Sequence, residues 1–400
     1  MKRPKRSLRS EATDLVLPTQ EDFHFDLEAR CREAVRFAIQ VALDDELEHL
    51  VGAGPYERNG RRRDVRNGTY PRRIVTGLGE VAVDVGRSRR HGSAIAPVGR
   101  YLRRRPQIDD AVSEVYVRGA STRDVAPITE ALLGKRVSRS TVSRVTRQLE
   151  DGVEALRKEP ITEPIAYLYL DATFIDARWA RTVENVSALV AYGVGPDGHR
   201  RLLAVHVGTQ ESEASWAGLL AELVERGLSG VRLVVADEHA GLRLAARKAL
   251  PEARQQRCTV HLMRNVLSNV PQRHRKRLAG ELVKVLHAGS LADAKRALGS
   301  FRDRFGRQFP EAVKCLVDGF DAATQYFAFP VEHWMRIRST NGLERLHGEI
   351  KRRTRAIGAF PDRASALRLI TAVSLQVVSI WPDRMYLDMT LLDAHVAIAA

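Results

Sequence analysis

The heptapeptide IAYLYLD, Ile165–Asp171, decides the fold, together with a second run of the same kind, VRLVVAD, Val231–Asp237. Each is an apolar stretch that stops on a single aspartate. The first follows Pro164, and its length and texture predict a buried strand. Val231–Ala236 is nearly continuous in apolar residues, as the middle strand of a covered sheet requires. Outward from these, Asn185–Gly195 and Arg200–Val207 read as two more strands, joined by the turn Pro196-Asp197-Gly198. Glu211–Arg226 reads as a helix with Trp216, Leu219, Leu220 and Leu223 on one side and Gly227 as its stop. Gly241–Leu250 is again helical, and Gln255–Val260 makes a short fifth strand.

From His261 to Tyr326 the strand pattern nearly vanishes. The spacings Val283/Leu286, Ala294/Ala297/Leu298/Phe301 and Val313/Leu316/Val317/Phe320 are helical, so residues 262–335 are expected to form an all-helical insertion. A further helix starts near Asn341, and another covers 363–380. Strand-strand-strand-helix-strand-helix is the order of a ribonuclease-H-like core, so the expected class is α/β with that core. Such a core carries acids at the end of its first strand, just after its fourth, and on a late helix. Those places hold Asp171, Asp237 and Glu344. Singly, each has an ordinary role: Asp171 ends a strand, Asp237 opens a turn, and Glu344 closes an Asn341-x-x-Glu344 capping box. At these three positions together they suit phosphodiester chemistry, which uses two hard cations roughly 3.5–4 Å apart. Carboxylate oxygens suit Mg²⁺ (or Mn²⁺), and two ions are expected. Without cation the three acids repel one another, so the site is expected to be weakly formed.

Charge narrows the partner. The 400 residues include 64 Lys+Arg against 49 Asp+Glu, a formal net charge of +15. Only ten of the basic residues are lysine, and arginine favours bidentate contact with phosphate. This balance points to a polyanion. No run of about 18 uncharged apolar residues suggests a membrane span. The start MKRPKRSLRSE lacks the apolar stretch of a signal peptide. Three scattered cysteines, Cys31, Cys258 and Cys315, argue against a disulfide framework and for a reducing, cytoplasmic setting.

The N-terminal part supplies candidate DNA contacts. Residues 1–20 read as a flexible basic tail, and Leu27–Leu50 as a helix ended by Gly52, Gly54 and Pro55. Seven arginines fall between Arg58 and Arg73, among them Arg61, Arg62 and Arg63. A hairpin follows, with strands Arg72–Thr76 and Glu80–Val85 about a turn at Gly77–Gly79. It reads equally as a ribbon along a DNA backbone or as a solvated basic loop. Over 121–149, Ser121-Thr-Arg-Asp124 opens a short helix to Leu133, Gly134 ends it, and Ser138 caps a second helix that buries Val142, Val145 and Leu149. Thr141, Arg144, Arg147 and Gln148 remain on its other faces, as in a helix-turn-helix. The expected organisation is an N-terminal tail and helix (1–56), a mainly helical DNA-binding region with the hairpin (57–159), a catalytic domain (160–380) interrupted by the helical insertion, and a tail (381–400).

Several segments resemble the Mutator-type transposases of bacterial insertion sequences. They include RNGTYPRRIVTGLGEVAVDV, YVRGASTRDVAPITEALLGKRVSRSTVSRVTRQL, YLDATFIDARW and GTQESEASWAGLLAELVERGL. The most specific are VVADEHAGLRLAARKALPEARQQRCTVHLMRNVL and STNGLERLHGEIKRRTRAIGAFPDRASALRLI. The resemblance implies a metal-dependent DDE transposase, with Asp171, Asp237 and Glu344 as its acids. The family's frequent Ser-Asp is Ala236-Asp237 here, and its usual asparagine after the glutamate is His347, a change expected to bear on DNA contacts. The family also carries a Cys-x-x-His signature, present as Cys258-Thr-Val-His261. Zinc would need two further ligands, and His274 and His287 are poorly spaced for it, so a packed cysteine with a hydrogen-bonded histidine is the expected reading. His239 either touches the reacting phosphate or caps a helix.

The helix after Glu344 is amphipathic. Leu343, Leu346 and Ile350 form its apolar side, and Arg345, Lys351, Arg352, Arg353 and Arg355 the rest, expected to bind phosphates of the transposon end. Trp334 is expected to pack rather than stack on a base. The expected activity is binding of element ends, metal-dependent cleavage and strand transfer to target DNA, by at least a dimer. The alternatives are a catalytically silent helix-turn-helix regulator and a metal nuclease that does not join strands.

Overall fold

The computed structural model describes residues 20–57, 59–94, 106–133, 136–179, 182–379, 381 and 383–399. The expected tail (most of 1–20) and the helix-ending Gly134 lie outside them. The chain is mixed α/β and divides into two compact units. One comprises residues 1–112 and 123–142, the other 113–122 and 143–400.

In the first unit a long helix α1 (Gln20–Val51) packs on a three-stranded antiparallel sheet of β1 (Arg66–Thr76), β2 (Gly79–Ser88) and β3 (Gly92–Ser93). The alternation Val81, Val83, Val85 puts these valines with Ile74 against Leu43 of α1, all buried. The hairpin is longer than its valine pattern indicates, because β1 pairs with β2 from Arg66 onward through residues that are exposed or only half-buried. Helix α2 (Pro106–Val117) follows in sequence. Helices α3 (Val125–Leu133) and α4 (Arg139–Val145) form the expected helical pair. The hydroxyl of Thr129 in α3 accepts the N–H of Val137 (3.1 Å), and Ser138 caps α4 by accepting the N–H of Thr141 (3.2 Å). The second helix stops sooner than its apolar spacing suggests: a 3₁₀ turn, Thr146–Gln148, separates α4 from α5 (Leu149–Lys158).

The second unit is built on a five-stranded sheet. Its strands are β4 (Tyr167–Trp179), β5 (Thr182–Val194), β6 (Arg200–Gly208), β7 (Leu233–Ala236) and β8 (Arg254–Arg257), in the spatial order β6-β5-β4-β7-β8. The first three are mutually antiparallel, and β7 and β8 run parallel to β4. Helices α6 (Glu213–Glu225) and α7 (Ala240–Ala249) follow β6 and β7. Trp216, Leu219, Leu220 and Leu223 of α6 and Leu242, Ala245 and Ala246 of α7 share one buried core with Leu168, Leu170 and Val234 of the sheet. The alternate residues of β4, Tyr167 and Tyr169, belong to the other face. There Tyr169 stacks on Tyr192 at 4.4 Å, and its hydroxyl donates to the carbonyl of Arg336 (3.3 Å).

Among the described residues, the α-helices that follow β8 are α8 (Thr259–Ser268), α9 (Gln272–Leu286), α10 (Leu291–Phe305), α11 (Pro310–Ala323), α12 (Trp334–Ile337), α13 (Asn341–Thr354), α14 (Arg363–Val378) and α15 (Thr390–Ala399). Helices α8 to α11 bury a core of their own around Leu262, Leu282, Phe301 and Leu316. The fifth strand ends at Arg257 rather than at residue 260, and Cys258 becomes the residue that precedes α8. Among the described residues no helix is long and apolar enough to cross a membrane.

Candidate active site

Asp171 does not end its strand. It lies within β4, paired with Val190 of β5, and the ladder continues to Trp179 opposite Thr182. The residues after Asp171 alternate between buried and exposed, a half-buried pattern that the apolar run before them obscures. On its other side β4 pairs in parallel with β7, with Leu170 opposite Ala236. Asp171, still within β4, and Asp237, just past the end of β7, are the residues that follow this last pair, so the sheet register brings two of the acids near one another.

The third acid arrives on α13. Glu344 sits in its first turn but does not close a capping box. Thr340 occupies the cap position, with no side-chain cap bond, and α13 starts at Asn341. The first turn of α13 comes so close to the sheet that a Cβ on Gly342 would stand 2.6 Å from the Tyr192 hydroxyl oxygen, so only glycine fits there.

His261, in the first turn of α8, stands between the later two acids. Its Nδ1 is 3.7 Å from Asp237 Oδ1, and its Nε2 is 3.7 Å from Glu344 Oε1. Arg264, three residues on and on the same helix face, brings Nη1 to 2.6 Å from Glu344 Oε1. The His261 pKa is pushed up to about 9, first by its hydrogen bond with Cys258 and then by the neighbouring carboxylates, against the effect of burial. It is therefore a cation at neutral pH. On the other side, His347 Nδ1 lies 3.6 Å from Asp171 Oδ2. Burial pushes the His347 pKa down to about 3, with Lys351 and His261 adding repulsion, so this imidazole is neutral.

Asp171 itself is buried, with 7% of its surface exposed, and among the described residues it accepts a hydrogen bond from the N–H of Ala172 (3.0 Å). Burial drives its pKa up to about 7, and Asp237 and Glu344 push the same way, against His261 and the Ala172 N–H. Concentrated negative charge is thus held by one imidazolium and one guanidinium. Among the described residues no group of three or more acid, histidine or cysteine side chains is spaced to hold a metal ion as it stands. The donor chemistry nevertheless fits a hard divalent cation. All three acids offer carboxylate oxygen, and Glu344 Oε1 is buried without a hydrogen bond, its contact with Arg264 being an ion pair only. Asp171, Asp237 and Glu344 are the residues that could hold such an ion.

The other candidates separate by position. His239 precedes α7 without capping it through its side chain, and its Nδ1 lies 3.6 Å from Glu211 Oε1. Cys258 is wholly buried beside His261. Trp334 packs edge-on to Phe327 and Tyr326 and donates its Nε1–H to the Phe329 carbonyl (2.7 Å). Arg61, Arg62 and Arg63 are exposed between α1 and β1. Thr141 is half-buried, and Arg144 and Arg147 are exposed. Arg345, Lys351, Arg352 and Arg355 are exposed, with Arg352 paired to Glu349 (2.8 Å).

Arg353 corrects the sequence reading. It is buried, donates to the Val117 carbonyl (3.2 Å) and to Gln376 Oε1, and so joins α13 to α2 and α14 instead of facing DNA. On a helix it falls three residues after the apolar Ile350, a spacing that places it on the inner side. His347 is likewise buried against Asp171 rather than free to touch DNA. The sequence reading missed Arg264 and Thr340. The signal for Arg264 was its i+3 spacing from His261, visible once α8 is assigned.

Comparison with known proteins places the chain in a family. The family described as "Transposase, Mutator family" matches residues 8–383. The chain is 34% identical over 369 residues to the transposase for insertion sequence element ISRM5 of Rhizobium meliloti, covering 92% of this chain and 93% of that one. It is 34% identical to the transposase for IS406 of Burkholderia multivorans, covering 89% and 92%. It is 33% identical to the transposase for IS1081 of Mycobacterium tuberculosis, covering 88% and 86%. The chain belongs to the Mutator family of transposases.

Proposed function

We propose that this transposase binds the ends of an insertion sequence, cleaves a phosphodiester there and joins the freed 3′-hydroxyl to target DNA, as a DDE enzyme. The observation that carries the reading is the position of Asp171 and Asp237, each directly after the paired Leu170 and Ala236 of the parallel β4 and β7, with Asp237 and Glu344 both 3.7 Å from the His261 ring. In this reading the five-stranded sheet is a ribonuclease-H-like core, and the helices between β8 and α13 are an all-helical insertion in it. Asp171, Asp237 and Glu344 would hold two Mg²⁺ (or Mn²⁺) ions. When bound, these would activate the attacking hydroxyl and stabilise the leaving oxygen.

The chain's own groups prepare that chemistry. The Ala172 N–H orients Asp171, and burial beside neutral His347 keeps water from satisfying it. His261 and Arg264 neutralise Asp237 and Glu344 while cation is absent, and must yield their contacts when it enters. The exposed Arg345, Lys351 and Arg352 of α13, and Arg355 just past its end, would bind phosphates next to Glu344. Residues 57–159, with Arg61, Arg62, Arg63, Thr141, Arg144 and Arg147, are the proposed DNA-binding region. Pairing of two ends calls for at least a dimer, in the cytoplasm at the nucleoid.

The test combines labelled element ends, a target plasmid and Mg²⁺ with the whole chain. Joined product is expected, abolished by chelation and by Asp171→Asn, Asp237→Asn or Glu344→Gln. Undiminished joining in these variants would refute the site. Binding without cleavage would identify a regulator, and cleavage without joining a nuclease.

A further inference from the structure

Cys258 is wholly buried, and its Sγ accepts two hydrogen bonds from one residue. The backbone N–H of Thr340 donates at 3.4 Å and its hydroxyl at 3.5 Å. Thr340, also wholly buried, is the residue before α13. A threonine there ordinarily accepts an N–H from the helix's first turn. Thr340 makes no such bond and turns its hydroxyl to the sulfur. Its carbonyl accepts the N–H of Glu344 at 3.0 Å. A second tie lies beside it, where the N–H of Thr259, the first residue of α8, donates to the Arg338 carbonyl at 3.0 Å. A continuous path of hydrogen bonds thus runs from Cys258 through Thr340 to the backbone of Glu344. One turn along α8, His261 and Arg264 meet the Glu344 carboxylate.

We infer that Cys258-x-x-His261 is a placing device for the third acid. Cys258 is a positioning residue that grips Thr340 and fixes where α13 begins. His261, one helical turn away on α8, sets the Glu344 carboxylate opposite Asp237. The pair does not make half of a zinc site, because the Cys258 sulfur is engaged by Thr340 and no described cysteine or histidine completes a four-ligand set. Sulfur also suits the gap: a serine oxygen, on a shorter bond, reaches Thr340 less well. The inference rests on the reading of Glu344 as a cation ligand, and its test separates the two.

Hydrogen exchange of the full-length protein, without cation or DNA, reads the grip directly. Cys258→Ala is expected to speed exchange across residues 338–346 by about tenfold, the factor set by loss of a buried hydrogen bond. Cys258→Ser should recover part of the protection. Thr340→Val, which keeps the N–H bond and loses the hydroxyl one, should give a smaller change in the same direction and serves if Cys258→Ala misfolds. In the joining assay Cys258→Ala should raise the Mg²⁺ concentration for half-maximal rate by about tenfold, with Cys258→Ser between it and the parent. Unchanged exchange in Cys258→Ala and Thr340→Val overturns the grip. Faster exchange with an unmoved Mg²⁺ requirement overturns its link to cation binding and throws the fault on the reading of Glu344. One zinc ion per chain, lost with Cys258, overturns the proposal in favour of a metal site.

Discussion

Asp64, just before β1, and Asp171, in the sheet of the second unit, are buried to nearly the same extent, 5% and 7% exposed. Their surroundings are opposite. Asp64 Oδ1 accepts the N–H of Val65 (2.7 Å), while Oδ2 accepts the N–H of Arg90 (2.8 Å) and of His91 (3.3 Å) and contacts His91 Nδ1 (3.0 Å). Burial works against its charge, but these donors outweigh it and hold the carboxyl well below the usual range. Among the described residues Asp171 has the Ala172 N–H as its donor and Asp237 and Glu344 as neighbouring acids, and its pKa rises to about 7. An acid with a full set of donors serves the fold. An acid left short of donors, beside others like it, costs stability, a pattern that clusters at functional sites.

The sharpest way to break the comparison is substitution at both places. Asp171→Asn should lower joining on the order of a thousandfold and leave the thermal midpoint unchanged or raised, because a neutral amide is buried more readily than a carboxylate. Asp64→Asn should do the reverse. The amide offers the Arg90 and His91 N–H groups a poorer acceptor, so thermal stability falls while joining below the transition is retained. Circular dichroism melts beside the joining assay check both.

A smaller contrast lies along α13. Arg353→Ala removes a buried guanidinium from Val117 and Gln376 and should cost about 1–3 kcal/mol of stability. Arg352→Ala, one residue away and exposed, should stay within about 0.5 kcal/mol in stability and weaken DNA binding instead, as salt-dependent filter binding would record.

The smallest expected effect is in pH. Asp64 has a depressed pKa, so its contribution is complete above the ordinary carboxylate range and is lost on acidification. Asp171 has a raised pKa. In cation-free protein the folded state retains a proton that the unfolded chain releases near pH 4, so its contribution declines as pH rises toward about 7. Melts in chelator across this window should show a downward slope in the parent that is reduced in Asp171→Asn.

Much of this was legible from strand runs and acid positions. The α/β alternation, the second unit's strand order in sequence and the segments bearing Asp171, Asp237 and Glu344 follow from local apolar patterns, because buried strands and helix faces write their periodicity directly into the chain. What escaped depends on tertiary pairing. The extension of β4 beyond Asp171 is imposed by β5, whose partner residues lie on a separate stretch of sequence. Arg353 looks like any basic residue until α2 and α14 cover it. His347 looks like a DNA contact until α13 meets β4. The role of Thr340 depends on a cysteine 82 positions away.

Manganese binding to the full-length chain, followed by titration calorimetry at neutral pH, tests the central claim most directly. The account predicts binding by the parent protein, retained in Asp64→Asn and lost in Asp171→Asn. Equal binding by the parent and Asp171→Asn would contradict it.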